Sequence, residues 1–120
     1  MTPAPANVGV QALLRLNLGG EGEEPNCINQ QPLWADLSNS ISRTGQPLRS
    51  LLHARVPILF CDNTSLCFPD STVDNVITNG VPVDQGNTWL GPSIPSAEIK
   101  RVLKPGGTWQ DNGVLVYQKP

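Results

Sequence analysis

The chain has one histidine, one methionine, three cysteines and six aromatic residues among its 120 residues, and each shortage removes a class of explanation. A lone histidine beside Cys27, Cys61 and Cys67, with no CxxC pair, leaves a zinc site short of ligands. The three cysteines read instead as reduced, mostly buried thiols. Charged residues make up only 15%, so long charged helices of the coiled-coil kind are excluded. No run of about 18 apolar residues occurs, and the N-terminus lacks the basic-then-apolar order of a signal peptide. Nothing here is expected to insert in a membrane unaided, and export would need a larger polypeptide. The net charge of −2 and pI near 5.1 argue against a nucleic-acid binder built on a broad basic stripe, while leaving a local basic patch open.

What is plentiful is glycine and proline, 11 and 12 residues, which predicts a loop-rich globular chain. The length suits one domain with one core. Residues 1–9 read as a flexible leader, and residues 10–120 as the single domain. Val10 to Leu18 is apolar enough for a strand that stops at the run Gly19-Gly20-Glu21-Gly22-Glu23-Glu24-Pro25. Cys27-Ile28-Asn29 suggests a second short strand. Gln46 to Ala54 predicts a helix, with Leu48, Leu51 and Leu52 on one face. Pro57 to Cys61 is an all-apolar run of the kind found in strands covered on both sides, and Val73 to Thr78 is another strand. A second helix is expected between Ser93 and Leu103, with Glu98 early, basic residues late, and Pro105-Gly106-Gly107 as its stop. Thr108 to Tyr117 flanks Asp111-Asn112-Gly113 and reads either as a hairpin or as one long bulged strand.

The segments Leu66-Cys67-Phe68-Pro69-Asp70, with Asp74 four residues on, and Leu103-Lys104-Pro105-Gly106-Gly107 carry a resemblance. They look like the "L-x-F-P-D-x-x-x-D" and "L-K-P-G-G" motifs in the second half of class I S-adenosylmethionine-dependent methyltransferases. The resemblance implies an α/β chain with a trimmed Rossmann-like methyltransferase fold, a mostly parallel sheet flanked by few helices. It spans residues 16 to 107, without the helix between the first two strands and without the family's terminal strand pair. Ligands of such sheets sit at the carboxyl ends of the strands, so the loops after Leu18, Ile28, Cys61 and Thr78 are expected to share one rim. Under this resemblance Gly19, Gly22, Gln31, Asp62 and Asn63 would hold S-adenosylmethionine, and the group near Asn79 would face the acceptor.

The first half departs from that pattern. Leu16 to Glu23 resembles the family's "L-x-L-G-C-G-x-G" loop, but Glu21 and Glu23 stand where its second and third glycines fall. Carboxylates placed near the cofactor's own carboxylate repel it by about 1 kcal/mol per close pair in water. Gln30 or Gln31 replaces the acid that the family uses to hold ribose. Two readings of Glu21, Glu23 and Glu24 stand side by side: a solvated acidic loop, or carboxylates that raise one another's pKa for metal binding or acid–base work. His53 reads either as a helix-surface residue or as a base near phosphate-holding Arg49 and Arg55. Trp34, Trp89 and Trp109 read as anchors, with base stacking the alternative.

A second resemblance covers most of the chain. Asn17 to Gln30, Ser42 to Gln46, Asp62 to Leu66, Val76 to Asn79 and Asn87 to Pro92 look like C-terminal toxin modules of bacterial polymorphic toxins, of the contact-dependent growth-inhibition and Rhs types. It implies a module secreted or surface-borne on a larger protein, acting in the target-cell cytoplasm and neutralised by a cognate immunity protein. RNA is the expected substrate, with tRNA cleavage favoured. Glu21, His53 and Asp62 are then the candidate catalytic residues and Arg43, Arg49 and Arg55 the candidate RNA contacts, with no cofactor or metal expected. A working methyltransferase and a non-catalytic, partner-binding remnant are the alternatives.

Overall fold

Residues 13–32, 57–88 and 91–120 are described by a computed structural model of the chain. They form strands β1 (Arg15–Leu18), β2 (Ile28–Gln31), β3 (Ile58–Phe60), β4 (Val73–Thr78), β5 (Asn87–Thr88) and β6 (Gly91–Pro92), helix α1 (Ser96–Val102), and strands β7 (Leu103–Asp111) and β8 (Val114–Gln118). Six strands make one sheet in the order β3-β2-β1-β4-β7-β8. Every pair is parallel except β7 with β8. The pair β5 and β6 forms a small antiparallel arm. The architecture is therefore α/β-like but poor in helix, with α1 the one helix among the described residues. The leader at 1–9 and the helix expected at Gln46–Ala54 lie outside them.

Alternation in β1 explains why the sheet has two unlike faces. Leu16 and Leu18 are fully buried on one side and pack with Leu66, Val73, Val76, Ile94, Ile99, Val102 and Leu103 in the hydrophobic core. Arg15 and Asn17 point to the other side, and their neighbours across the ladder are Asn75, Asn29 and Ile77. In α1, Ile99 and Val102 are three apart and both face the core. The chain runs from β1 outward to β2 and β3, then crosses to β4 and β7 on the opposite side. Strand order thus reverses between β1 and β4, the place where open parallel sheets leave a crevice.

Several expectations are corrected. Cys61 and Cys67 form a disulfide, their Cα atoms 5.5 Å apart across the turn after β3, so only Cys27 is a buried free thiol. Burial pushes the Cys27 thiol pKa up. The run at Pro57–Cys61 is not covered on both sides: β3 lies at the edge of the described sheet and Leu59 is 41% exposed. The second strand begins at Ile28 rather than Cys27 and is mostly polar.

The last helix is shorter than expected: it ends at Val102, ahead of Pro105-Gly106-Gly107, and the chain continues directly into β7. There β7 bulges away from β4, pairing Leu103 with Val73 and resuming at Thr108 with Asn75. Gly107 is required by backbone proximity: a Cβ there would lie 2.8 Å from the Lys104 carbonyl oxygen and 3.0 Å from that of Asp74. The C-terminal segment is the hairpin of the two alternatives, with Asn112 and Gly113 both at positive φ, as its two-residue turn demands.

Candidate functional site at the carboxyl rim

The carboxyl ends of β1, β2, β3 and β4 meet in a cleft. Among the described residues it is lined by Gly19, Gln30, Gln31, Pro32, Asn63, Val81, Pro82, Thr88, Pro92 and Ile94, with a volume of about 120 Å³. Pockets that take a drug-sized ligand start near 300 Å³. A second hollow of about 410 Å³ adjoins it beyond Pro92, with Thr64, Asp84, Asn87 and Ser93 among its lining residues.

The first loop is tied down, mostly onto β2. Gly19 N–H donates to Gln30 Oε1 at 3.1 Å. Gly20 N–H donates to the carbonyls of Asn17 and Gln30, both at 3.1 Å. Glu21 N–H donates to Glu23 Oε1 at 2.8 Å, and Gly22 N–H to Asn29 Oδ1 at 3.1 Å. Successive backbone N–H groups of this kind commonly cradle an anionic ligand. Here all four are already used, one of them by the loop's own carboxylate.

The amide side chains of β2 are equally occupied. Gln30, fully buried, donates from Nε2 to the Cys61 carbonyl at 3.0 Å and to Asn63 Oδ1 at 2.9 Å. Gln31 Nε2 donates to the Gly20 carbonyl at 2.8 Å. Asn63 reaches on to the Pro92 carbonyl at 2.8 Å. One chain of hydrogen bonds therefore links Gly19, Gln30, Asn63 and Pro92 across the rim. The disulfide brackets Asn63 covalently. A buried glutamine thus holds the ends of β1 and β3 together.

Glu23 clasps the loop to the far side of the rim, accepting from Asn79 Nδ2 at 3.1 Å. Burial by itself raises its pKa, but hydrogen bonds from Asn17, the Glu21 N–H and Asn79 outweigh that and hold it at about 2. This is the reverse of the mutual raising that one of the two readings of the acidic run required, so Glu23 stays ionised and supplies no general acid. The stability it contributes is present above its ordinary value of 4.5 and is lost as pH falls from there toward 2. Because Glu23 is exposed, that contribution is at most about 1 kcal/mol. Glu23→Gln is expected to lower the unfolding midpoint at pH 7 and to leave a flatter stability curve between about pH 5 and 3, read by urea denaturation.

Asp62, expected at the strand end, is exposed and turned to a local task. Its Oδ1 accepts from the Thr64 N–H and the Thr64 hydroxyl, both at 2.8 Å, and these bonds lower its pKa. It caps the turn that carries Asn63 into the cleft. Glu21 lies half-buried at the rim and Gly22 is exposed beside it. No group of three or more histidine, cysteine or acidic side chains converges as a metal site among the described residues, the acidic loop included.

Trp109 donates from Nε1 to the Thr78 hydroxyl at 3.0 Å and packs against the core, in the anchoring role. His53, Arg43, Arg49, Arg55, Trp34 and Trp89 lie outside the described residues. Gly19, Gly22, Glu21, Gln31, Asp62 and Asn63 all lie at or just beyond the strand ends, and their polar groups are engaged by Gln30, Asn29, Glu23, Gly20, Thr64 and Pro92. Sequence reasoning missed Gln30 as the keystone. Its signal was present, a glutamine in the middle of a strand that pairs with Leu16 and Leu18. No family model matches the chain, and no curated protein does either.

Proposed function

We propose that the domain is an interbacterial toxin module that acts on RNA inside a target cell, with tRNA the favoured substrate, and that a cognate immunity protein neutralises it. The observation that carries this reading is the closure of the first loop: four consecutive N–H groups, from Gly19 to Gly22, are spent within the chain. A loop in that state offers no donor to the carboxylate of S-adenosylmethionine, and Glu23 places a like charge beside it. The scaffold resembles a methyltransferase, while its cofactor positions are tied up in holding the rim together. That combination suits a fold put to other work. The candidate catalytic residues are Glu21, His53 and Asp62, and Arg43, Arg49 and Arg55 are the candidate RNA contacts.

Expression in bacteria without the adjacent gene product should arrest growth and shorten cellular RNA, and co-expression with it should restore both. Unchanged growth with intact RNA would defeat the reading. If killing survives Glu21→Ala, His53→Ala and Asp62→Ala alike, the domain acts by binding a partner without catalysis.

One observation favours the second reading, a working methyltransferase. The strand order β3-β2-β1-β4-β7, with its reversal at β1 and β4, is that of doubly wound nucleotide-binding sheets, and the cleft lies at the expected crevice. Under it Gly19, Gly22, Gln31, Asp62 and Asn63 would hold the cofactor only after the hydrogen bonds that now occupy the rim had broken.

A further inference from the structure

Charge sorts the cavities of the described residues. The rim cleft is lined by neutral side chains, and the hollow beside it carries Asp84. A third cavity of about 150 Å³ lies on the other face of the sheet, lined by Arg15, Asn75, Val76, Ile77, Thr108 and Gln110. It is the one of these three with a cation in its lining. No described carboxylate lines it. Asp74, next in sequence to Asn75, points elsewhere and accepts from the Leu14 N–H and from Lys104.

The cavity follows from register. Arg15 pairs with Asn75 and Asn75 with Thr108, so three polar side chains stand in one row across β1, β4 and β7, and Gln110 is two residues further along β7. Parallel strands are normally apolar on both faces because helices cover them. A polar row in the middle of such a sheet needs partners, and the row's internal ones are few. Asn75 Nδ2 donates to Thr108 Oγ1 at 2.8 Å, which leaves the Thr108 hydroxyl proton to point elsewhere. Arg15 Nη1 donates to the Pro25 carbonyl at 3.0 Å, and its remaining N–H groups make no hydrogen bond or ion pair among the described residues. The Gln110 amide is likewise unengaged among them. The remaining Arg15 donors are left for water or for an anion that enters the cavity.

We propose that this row is a phosphate-binding site. Arg15 supplies the charge and part of a planar fork of donors, while Thr108 and Gln110 add neutral ones, a set that fits the oxyanion of a phosphodiester or phosphomonoester. The volume suits a single phosphate group and excludes a whole nucleotide. That the phosphate belongs to an RNA backbone rests on the toxin reading; the site itself does not.

Titration of the folded chain with inorganic phosphate, followed by amide NMR, tests the site alone. Saturable shifts at Asn75, Thr108 and Gln110 are expected, weakened about tenfold or more by Arg15→Gln, which removes the charge. Gln110 is exposed, so Gln110→Glu should fold normally and, by adding a carboxylate to the lining, should weaken phosphate to a similar degree. Shifts that are absent in the native chain, or undiminished in Gln110→Glu, would overturn the proposal. A single-stranded oligoribonucleotide forms the second arm. Competition with phosphate, together with a salt dependence that falls by about one phosphate in Arg15→Gln, identifies a backbone phosphodiester. Phosphate binding without competition upholds the site and assigns it to a free phosphate group, against the RNA reading.

Discussion

Arg101→Ala is expected to lower the unfolding free energy by about 3 kcal/mol, because one guanidinium serves a carboxylate and two carbonyls at once. Arg101 holds the "L-x-F-P-D" loop onto α1. Its Nε and Nη2 bind both oxygens of Glu98, at 2.8 and 2.9 Å, in a bidentate pair. Nη2 also donates to the Leu66 carbonyl and Nη1 to the Phe68 carbonyl, both at 2.9 Å. Glu98 Oε1 in turn accepts from the Leu66 N–H at 2.8 Å. Truncation leaves a mostly buried carboxylate and two carbonyls without their donor.

The contact with Asp70 is a different matter. Asp70 is 76% exposed, so Asp70→Ala should cost under about 0.5 kcal/mol despite a 2.8 Å ion pair. Arg101→Lys should recover less than half of the alanine loss, because an ammonium cannot fork across Glu98 and two carbonyls together. The Arg101 hydrogen bonds hold the Glu98 pKa below its ordinary value, so this stability is present above pH 4.5 and fades as acid protonates Glu98 in the folded state. Urea denaturation of the series at pH 7 and in acid checks each step. Equal losses for Arg101→Ala and Asp70→Ala would show that the surface ion pair, not the part-buried fork, holds the loop.

Gly20→Ala is expected to cost about 2 to 3 kcal/mol and to open the first loop. A Cβ at this position would collide with Asn29 Oδ1 and would lie 2.7 Å from Asn17 Cγ. Neither side chain has room to yield. Asn29 is held by donation to the Pro57 carbonyl at 3.0 Å and by acceptance from the Gly22 N–H. Asn17 is held by donation to Asn29 at 3.2 Å, and it is fully buried. These bonds also fix which way both amides point, leaving Asn17 Oδ1 buried without a partner. In an Asn29→Ala background the Oδ1 collision is gone, so the added cost of Gly20→Ala should fall by at least about 1 kcal/mol. Strict additivity of the two changes would mean that the loop adapts and that glycine is not demanded there.

The sequence carried the strands best where apolar residues alternate or cluster. β1 and β4 were legible in Leu16, Leu18, Val73 and Val76, and α1 in the order of Glu98 before Lys100 and Arg101. The Asp111-Asn112-Gly113 turn narrowed the C-terminus to two readings, and the register with Trp109 and Tyr117 decided between them. β2 was half seen because Asn29, Gln30 and Gln31 lack any apolar period; the strand exists because its amides knit neighbouring loops. Pro105-Gly106-Gly107 read as a stop because proline and glycine leave regular structure, which they do here as a bulge within β7. The Cys61–Cys67 link was hidden by an odd cysteine count and by the absence of compartment information. The rim itself was legible from strand-end geometry. What its residues do there was not, since donor and acceptor partners depend on long-range pairing that spacing does not encode.

The rim's proposed role depends on the Gly19–Gly22 donors being taken by β1, β2 and Glu23, which leaves none for the anionic cofactor. Calorimetric titration of the folded domain with S-adenosylhomocysteine measures this without an intermediary. No saturable heat is expected at micromolar ligand; a one-to-one isotherm in that range would refute the closed-loop reading.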